Sequence, residues 1–344
     1  MEDVPWKDGL ELGLRGLGWR DAERASPYDR FPLAMKDRIT PNLWGLSQQS
    51  AGLYLEFTAA TRDIFVRWKL DGAPNNGFFD APSGRSGVDL YGQDEAGRWW
   101  WVGTKEAWRE PESDGKINRL PLDGQRRKYR LYLPLHRRLR EVAVGCAEGV
   151  APVAPPTTNP IVYYGTSIVH GVGVSRAGLA HAAWLGRALN REIINLGFSG
   201  SAFCETAVAE ALGQLKTPLF IIDVLPNNAV EVMESRLTAF YRTLRAAQPD
   251  TLILFLGDRV YGDAAFCPER KAVFTAKNDL LQKLITTFRG SMPGPLELFF
   301  ADSWYGIDNE GTTDASHPND LGAARMARQL IPLVERLLRE IAKA

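Results

Sequence analysis

One break constrains this chain more than any other feature: its hydrophobic period changes at a proline-rich stretch and does not change back. Ala151-Pro-Val-Ala-Pro-Pro-Thr-Thr-Asn-Pro160 carries no charge. Its prolines fix φ and remove backbone donors, so residues 151–160 read as a stiff linker, not as helix or central strand. Before it, in residues 1–150, short runs alternate apolar and polar side chains at 53–57, 64–70, 88–91, 99–102, 129–133 and 142–144. Turn clusters separate them, among them Asp71-Gly-Ala-Pro-Asn-Asn-Gly77 and Asp94-Glu-Ala-Gly97. A period of two with turns between predicts an antiparallel sandwich or jelly roll. After the linker, in residues 161–344, apolar runs at 161–164, 193–196, 219–224, 251–256 and 296–300 alternate with helical stretches at 179–189, 231–248, 269–289 and 321–342. That alternation predicts right-handed βαβ units in a three-layer α/β/α sandwich. Five strands suggest a flavodoxin-like parallel sheet, with ligands at the carboxyl ends of the strands.

Composition narrows the function. At 344 residues the chain exceeds the roughly 250–300 at which single cores stop growing, in keeping with two domains. Lys+Arg and Asp+Glu are equal at 41 each, a balance that argues against nucleic-acid or polybasic membrane-surface partners. No apolar run approaches the ~18–20 residues of a membrane span. Met1-Glu2-Asp3 is no signal peptide, so the chain as it stands is expected in the cytoplasm, or in the periplasm or outside if a leader has been trimmed. Three scattered cysteines exclude a disulfide framework, and four histidines without HExxH predict no metal and no cofactor. Gly171-x-Gly173 is followed by Arg176 in place of a third glycine, which argues against dinucleotide binding. Oligomeric state is not legible.

Four loops after the linker carry candidate chemistry. Gly165-Thr-Ser167-Ile-Val-His-Gly171 follows the leading strand. Ser167 there either faces a cleft as a nucleophile or caps the next helix, and Val169 spoils a match to the GxSxG elbow. In Asn195-Leu-Gly-Phe-Ser-Gly200 a glycine lets backbone N–H approach a ligand. In Asp223-Val-Leu-Pro-Asn227-Asn228 the Asn227 amide can donate to a developing oxyanion or close an Asx turn. Asp314-Ala-Ser-His317-Pro318 places a histidine in a polar loop with a carboxylate three residues earlier to orient it. Should Asp314 not serve, Asp302 and Asp308 are the next carboxylates to test.

Taken together and in this order, the four blocks resemble those of the SGNH (GDSL-type) hydrolases. Gly87-Val-Asp-Leu-Tyr91 looks like the GxDLY signature of a β-rich domain that precedes a subset of them. The resemblance runs from about Trp19 to Leu338. It implies an SGNH-type α/β/α sandwich after an all-β, jelly-roll-like domain. It implies Ser167 as nucleophile, His317 as general base and acid, Asp314 as its orienting partner, and an oxyanion hole of Ser167 N–H, Gly200 N–H and the Asn227 side chain. Thr166 stands where the family name has Asp, and Leu225-Pro-Asn-Asn replaces Gly-x-Asn-Asp; both look like features of the GxDLY subset. The expected function is a serine esterase acting on short-chain acyl esters of a small molecule or carbohydrate. The alternative is an acyltransferase that passes the same acyl group to an alcohol, and a glycan-binding protein with a vestigial triad is a third class.

Other residues have two readings each. His170 lines the acyl or leaving-group side, or only starts a helix. Asp258 and Arg259 line the pocket, or form an ion pair. Cys204 reads as a buried structural thiol. Trp99 and Trp101 share one strand face with Trp100 opposite, so core packing competes with sugar stacking. Arg126–Arg130 with Arg137, Arg138 and Arg140 read as a solvated sheet edge protected by charge.

Overall fold

The computed structural model describes residues 4–73, 80–107, 109–260, 262–301 and 303–343. Most of the 71–77 turn cluster, like Asp302, lies outside the described residues. The first half contains β1 (Trp6–Asp8), β2 (Leu14–Arg15), β3 (Tyr54–Ala60), β4 (Phe65–Leu70), β5 (Val88–Gln93), β6 (Trp99–Lys105), β7 (Glu112–Lys116), β8 (Arg126–Tyr132), β9 (Leu139–Gly145) and β10 (Ala151–Pro152). Short helices α1 (Gly9–Leu12), α2 (Pro41–Ser47) and α3 (Pro82–Arg85) interrupt them. The strands form two antiparallel sheets, ordered β1-β9-β4-β7 and β10-β3-β8-β5-β6, with β2 beside β3. Leu55, Phe57, Leu90 and Leu131 of one sheet and Val66, Trp68, Val142 and Val144 of the other close on a common core. Such alternation is what buries one face of each strand. The proline-rich stretch opens as strand: Pro152 pairs opposite Phe57 on an outer strand, where proline costs no ladder bond.

Two expectations for this half are corrected. The arginine run is not a solvated edge, because β8 lies between β3 and β5. Arg130 is buried, donating to Glu56 at 2.7 and 3.0 Å under the rings of Tyr54 and Trp99. Farther along, Arg138 and Arg140 bind Asp29 and Asp71. Alternation along β6 holds, with Trp100 opposite Gly92 and Trp101 opposite Tyr91, yet core packing accounts for Trp99 alone. Trp100 and Trp101 stay 57 % and 51 % exposed on this outer strand.

The second half contains β11 (Ile161–Gly165), β12 (Ile193–Gly197), β13 (Leu219–Asp223), β14 (Leu252–Leu256) and β15 (Leu296–Phe299), all parallel in the order β12-β11-β13-β14-β15. This is the expected flavodoxin-like order. The helices are α4 (Ser167–His170), α5 (His181–Ala188), α6 (Thr206–Leu212), α7 (Val230–Ala247), α8 (Pro268–Ser291) and α9 (Asp320–Ile341). One sheet face packs on α6, α7 and α8 through Val208, Leu237, Phe240 and Leu281; the other packs on α5 and α9 through Leu185, Met326, Leu330 and Val334. Burial on both faces explains the near-continuous apolar runs. Among the described residues no helix is long and apolar enough to cross a membrane.

The two halves share cores. Phe31, Met35 and Leu43 pack inside the α/β half, and Tyr54, Tyr91 and Tyr132 pack on Ala177 and Ala180. The GxDLY residues make the joint. Asp89 is fully buried and accepts from Arg176 at 3.0 Å, Gly178 N–H at 2.9 Å and the Trp101 indole at 2.8 Å. Burial raises its carboxyl above the usual range despite the Arg176 charge. Arg176 also donates to the Tyr91 hydroxyl at 2.8 Å. A Cβ on Gly87 would lie 2.5 Å from Lys105 O and 2.7 Å from Ser83 O, so only glycine fits there.

Candidate active site

The site forms where the carboxyl ends of β11, β12 and β13 meet the loop before α9. After β11, Thr166 precedes α4, and Ser167 takes its first position. There helix geometry gives its N–H no intrahelical acceptor. Gly171 ends the short helix in the left-handed region, at φ +104°. Ser167 is 8 % exposed, and its Oγ lies 2.8 Å from His317 Nε2.

The His317 loop is built around one carboxylate. Asp314 Oδ1 accepts from the N–H groups of Ser316 at 3.0 Å and His317 at 2.7 Å, while Oδ2 lies 2.7 Å from His317 Nδ1. Thr313 N–H donates to His317 O at 3.0 Å, and Thr312 bridges to Pro318, closing the loop. Asn319 then caps α9 by accepting from Gly322 N–H at 3.0 Å. Burial pushes the Asp314 carboxyl up, but hydrogen bonds from His317 backbone and ring, with the Ser316 N–H, outweigh it and hold the group below its ordinary value. An ionised carboxylate only accepts, so Nδ1 carries the proton and Nε2 faces Ser167 as acceptor.

The remaining two blocks approach from the side. After β12, Asn195 Oδ1 accepts from Gly197 N–H at 2.9 Å and its amide donates to Val169 O at 2.7 Å, tying this loop to α4. Gly200 is exposed, at φ +63°. The Asn227 amide donates to Ser201 O at 2.6 Å, which brings the second and third blocks together. Lys277 of α8, itself buried, donates to Leu225 O at 2.9 Å and Pro226 O at 3.2 Å and so grips the turn that carries Asn227.

Ser167, His317 and Asp314 are thus hydrogen-bonded in series, with Gly200 and Asn227 linked through Ser201. The three residues with a lining reading beside a structural one take the structural one. His170 is fully buried behind the second block, held by Leu135 O and Ser199. Arg259 is fully buried in a two-pronged ion pair with Asp223 at the end of β13, and buried Asp258 accepts from Arg259 N–H at 2.8 Å. Desolvation without a charged partner is costly, so these groups sit where carboxylate, carbonyl and lysine partners are, beneath the site. Asp308 is exposed and paired with Arg325 at 2.6 Å; that hydrogen bond leads in holding its carboxyl down at about 2. Cys204 is buried, as expected of a structural thiol.

Sequence reasoning missed Arg30 and Lys277, and it read Asn195 only as the start of the second block, without the tie to α4. Arg30 is buried and donates to Gly197 O at 2.7 Å and Leu46 O at 2.7 Å, joining the first half to the second block. Only Lys277 left a signal: it interrupts the apolar stripe Phe274, Leu281, Leu284, Phe288 of α8.

Residues 158–335 match the family model described as the GDSL-like Lipase/Acylhydrolase family, and residues 4–151 match that described as the N-terminus of Esterase_SGNH_hydro-type. Among solved structures, the chain is similar to a protein of Bacteroides ovatus described as a GDSL-like lipase, at 27 % identity and TM-score 0.91 over 98 % of each chain. It is also similar to a salicylyl-acyltransferase from a tetracycline biosynthetic pathway, at 17 % identity and TM-score 0.75, again over 98 % of each. A family two carbohydrate esterase from Cellvibrio japonicus is similar at 13 % identity and TM-score 0.56, over 84 % of this chain and 90 % of that one. At these identities the last two likenesses concern the fold alone. No curated protein sequence matches the chain.

Proposed function

The chain belongs to the GDSL-like lipase/acylhydrolase family, carboxylic ester hydrolases, and on that premise we propose that it is a serine esterase working through an acyl-enzyme on Ser167. One observation carries the reading: Asp314, His317 and Ser167 stand in series at 2.7 and 2.8 Å. His317 Nε2 takes the Ser167 proton as Oγ attacks the ester carbonyl carbon. The carbonyl electron pair moves to oxygen, where Ser167 N–H, Gly200 N–H and the Asn227 amide are the donors we assign. Collapse of the tetrahedral intermediate breaks the bond to the alcohol, which leaves with the proton from His317. Water, deprotonated by His317, then attacks the acyl-enzyme and releases the acid.

The acyl group is short and the alcohol small. A carbohydrate alcohol is the variant supported by Trp100 and Trp101, half-exposed, with Arg98 and Arg176 over their rings and their N–H groups held by Asp94 and Asp89. A second reading is transfer of the acyl group to an alcohol. The fold shared along 98 % of both chains with a salicylyl-acyltransferase is what supports it. The test is turnover of 4-nitrophenyl acetate and acetylated sugars by wild type and Ser167→Ala. We expect a fall of at least about 10³-fold in the variant. Inactive wild type across the panel, or an active Ser167→Ala, would sink the reading. Ester product exceeding free acid at modest alcohol concentration would favour transfer.

A further inference from the structure

Behind the loop that carries Gly200, one histidine is held between two partners of opposite kind. His170 Nε2 lies 2.9 Å from Leu135 O. A carbonyl only accepts, so Nε2 carries the proton. His170 Nδ1 lies 3.3 Å from Ser199 N and 3.1 Å from Ser199 Oγ. A backbone N–H only donates, so Nδ1 is bare. The two partners together fix a single neutral tautomer. Burial leads in keeping the ring neutral, with the neighbouring His136, Arg30 and Arg85 acting in the same direction.

The partners also belong to different halves of the molecule. Leu135 lies just after β8, and its backbone is anchored through Leu135 N–H to Gly84 O at 3.1 Å and His136 N–H to Arg85 O at 3.1 Å. The His136 ring packs on that of His170, centroids 4.6 Å apart. Ser199 is the residue before Gly200. A Cβ built on Gly200 would meet nothing within 4 Å, so the tip has no packing of its own and its direction is set by its neighbours. On the far side Ser201 is held by Asn227 at 2.6 Å and by Asn42 at 3.0 Å. On the near side the side chain that holds Ser199 is His170.

We propose that His170 is a positioning residue for the Ser199–Gly200 turn, itself set by the Leu135 carbonyl, so that the N-terminal half takes part in placing an oxyanion donor. The proposal deepens the esterase reading and rests on it for the role of Gly200. Displacing a donor by about 1 Å costs on the order of 10²-fold in rate, which sets the scale of the expected effect.

The test compares three variants and one measurement on the unaltered protein. His170→Phe keeps a ring of similar size and loses both hydrogen bonds. His170→Asn keeps an acceptor near the Nδ1 position, and His170→Gln withdraws it. We expect kcat on 4-nitrophenyl acetate to fall about 10–100-fold in the Phe and Gln variants with KM little changed, and to recover only in part in His170→Asn, which regains the hold on Ser199 but not the bond to Leu135 O. A boronic acid that forms a tetrahedral adduct on Ser167 should weaken in parallel with kcat, which a general loss of stability would not produce. Backbone hydrogen exchange across residues 197–203 should rise in the Phe and Gln variants. In wild type, imidazole ¹⁵N spectra should show His170 protonated at Nε2 alone. Folded Phe or Gln variants with normal kcat, a loss confined to KM, unchanged exchange at 197–203, or a proton on Nδ1 would each overturn the proposal. Should the Phe variant not fold, His170→Gln against His170→Asn and the spectra decide it. If wild type hydrolyses no ester the esterase reading fails by itself, and exchange and spectra still decide whether His170 holds the turn.

Discussion

Serine is a weak nucleophile until a base stands against it, and here the base is held by backbone as much as by side chain. Asp314 accepts two backbone N–H groups through Oδ1 and the imidazole through Oδ2, so its orientation is fixed before the ring binds. Asp314→Asn should keep the loop bonds at Oδ1 but present an N–H to His317 Nδ1, favouring the wrong tautomer. We expect kcat/KM on 4-nitrophenyl acetate to fall about 10²–10⁴-fold with an unchanged fold by circular dichroism. Near-normal turnover would show that another group orients the base. These residues were legible in the sequence because their chemistry is local: a carboxylate three residues before a histidine closes a turn by itself. His170, Asp258 and Arg259 were left with two readings each for the opposite reason. Their surroundings come from Leu135, Asp223 and Lys277, distant in the chain, and nothing in a one-dimensional reading fixes those contacts.

Elements were legible in proportion to how strongly burial writes on them. The five parallel strands, the first four buried on both faces, fall within a residue or two of the apolar runs. β7, Glu-Ser-Asp-Gly-Lys, is an outer strand with no apolar face, and α6 is a two-turn helix; both went unseen. One close junction between elements is β12 against α4. A Cβ on Gly197 would lie 2.0 Å from the backbone nitrogen of His170, where no flexible side chain can yield. Gly197→Ala must therefore push the second block away from the first. We expect a loss of about 1–3 kcal/mol in urea-denaturation stability, together with a drop in kcat out of proportion to it. An alanine variant of wild-type stability and turnover would mean that β12 and α4 separate easily, against the close approach seen here.

At the scale of the whole molecule, the change of hydrophobic period marked two architectures but not how far they interpenetrate. With Phe31, Met35 and Leu43 inside the α/β core and Asp89 buried against Arg176, neither half keeps its packing alone, so one cooperative unfolding transition is expected. All four histidines lie in the second half or at this junction, and three of them are buried neutral. Burial lowers His136 to about 4, against the pull of Asp80, with Arg85 and Arg30 reinforcing burial and Gly171 O opposing it. Burial also lowers His181 to about 4, with Asp223 opposing and Arg259 reinforcing, and holds His170 well below its ordinary value. In the unfolded chain each takes up a proton near pH 6.5. Stability is therefore complete above that pH and falls as the pH drops toward the folded values, because the unfolded state binds protons that the folded state refuses. Asp89 and Asp258, whose carboxyls burial raises, act in the opposite sense as pH nears the carboxylate range, so the histidine effect is best read at pH 5 and above. Between pH 7.5 and 5 each buried histidine should contribute a loss of about 2 kcal/mol, visible as a lower urea midpoint. His181→Asn leaves the Ser167 machinery and the His136–His170 pair intact, and it should shrink the pH 7.5-to-5 difference by about one such share while lowering stability at pH 7.5. A urea midpoint that does not move between these pH values would show that the histidines are protonated, or exposed to water, in the folded protein.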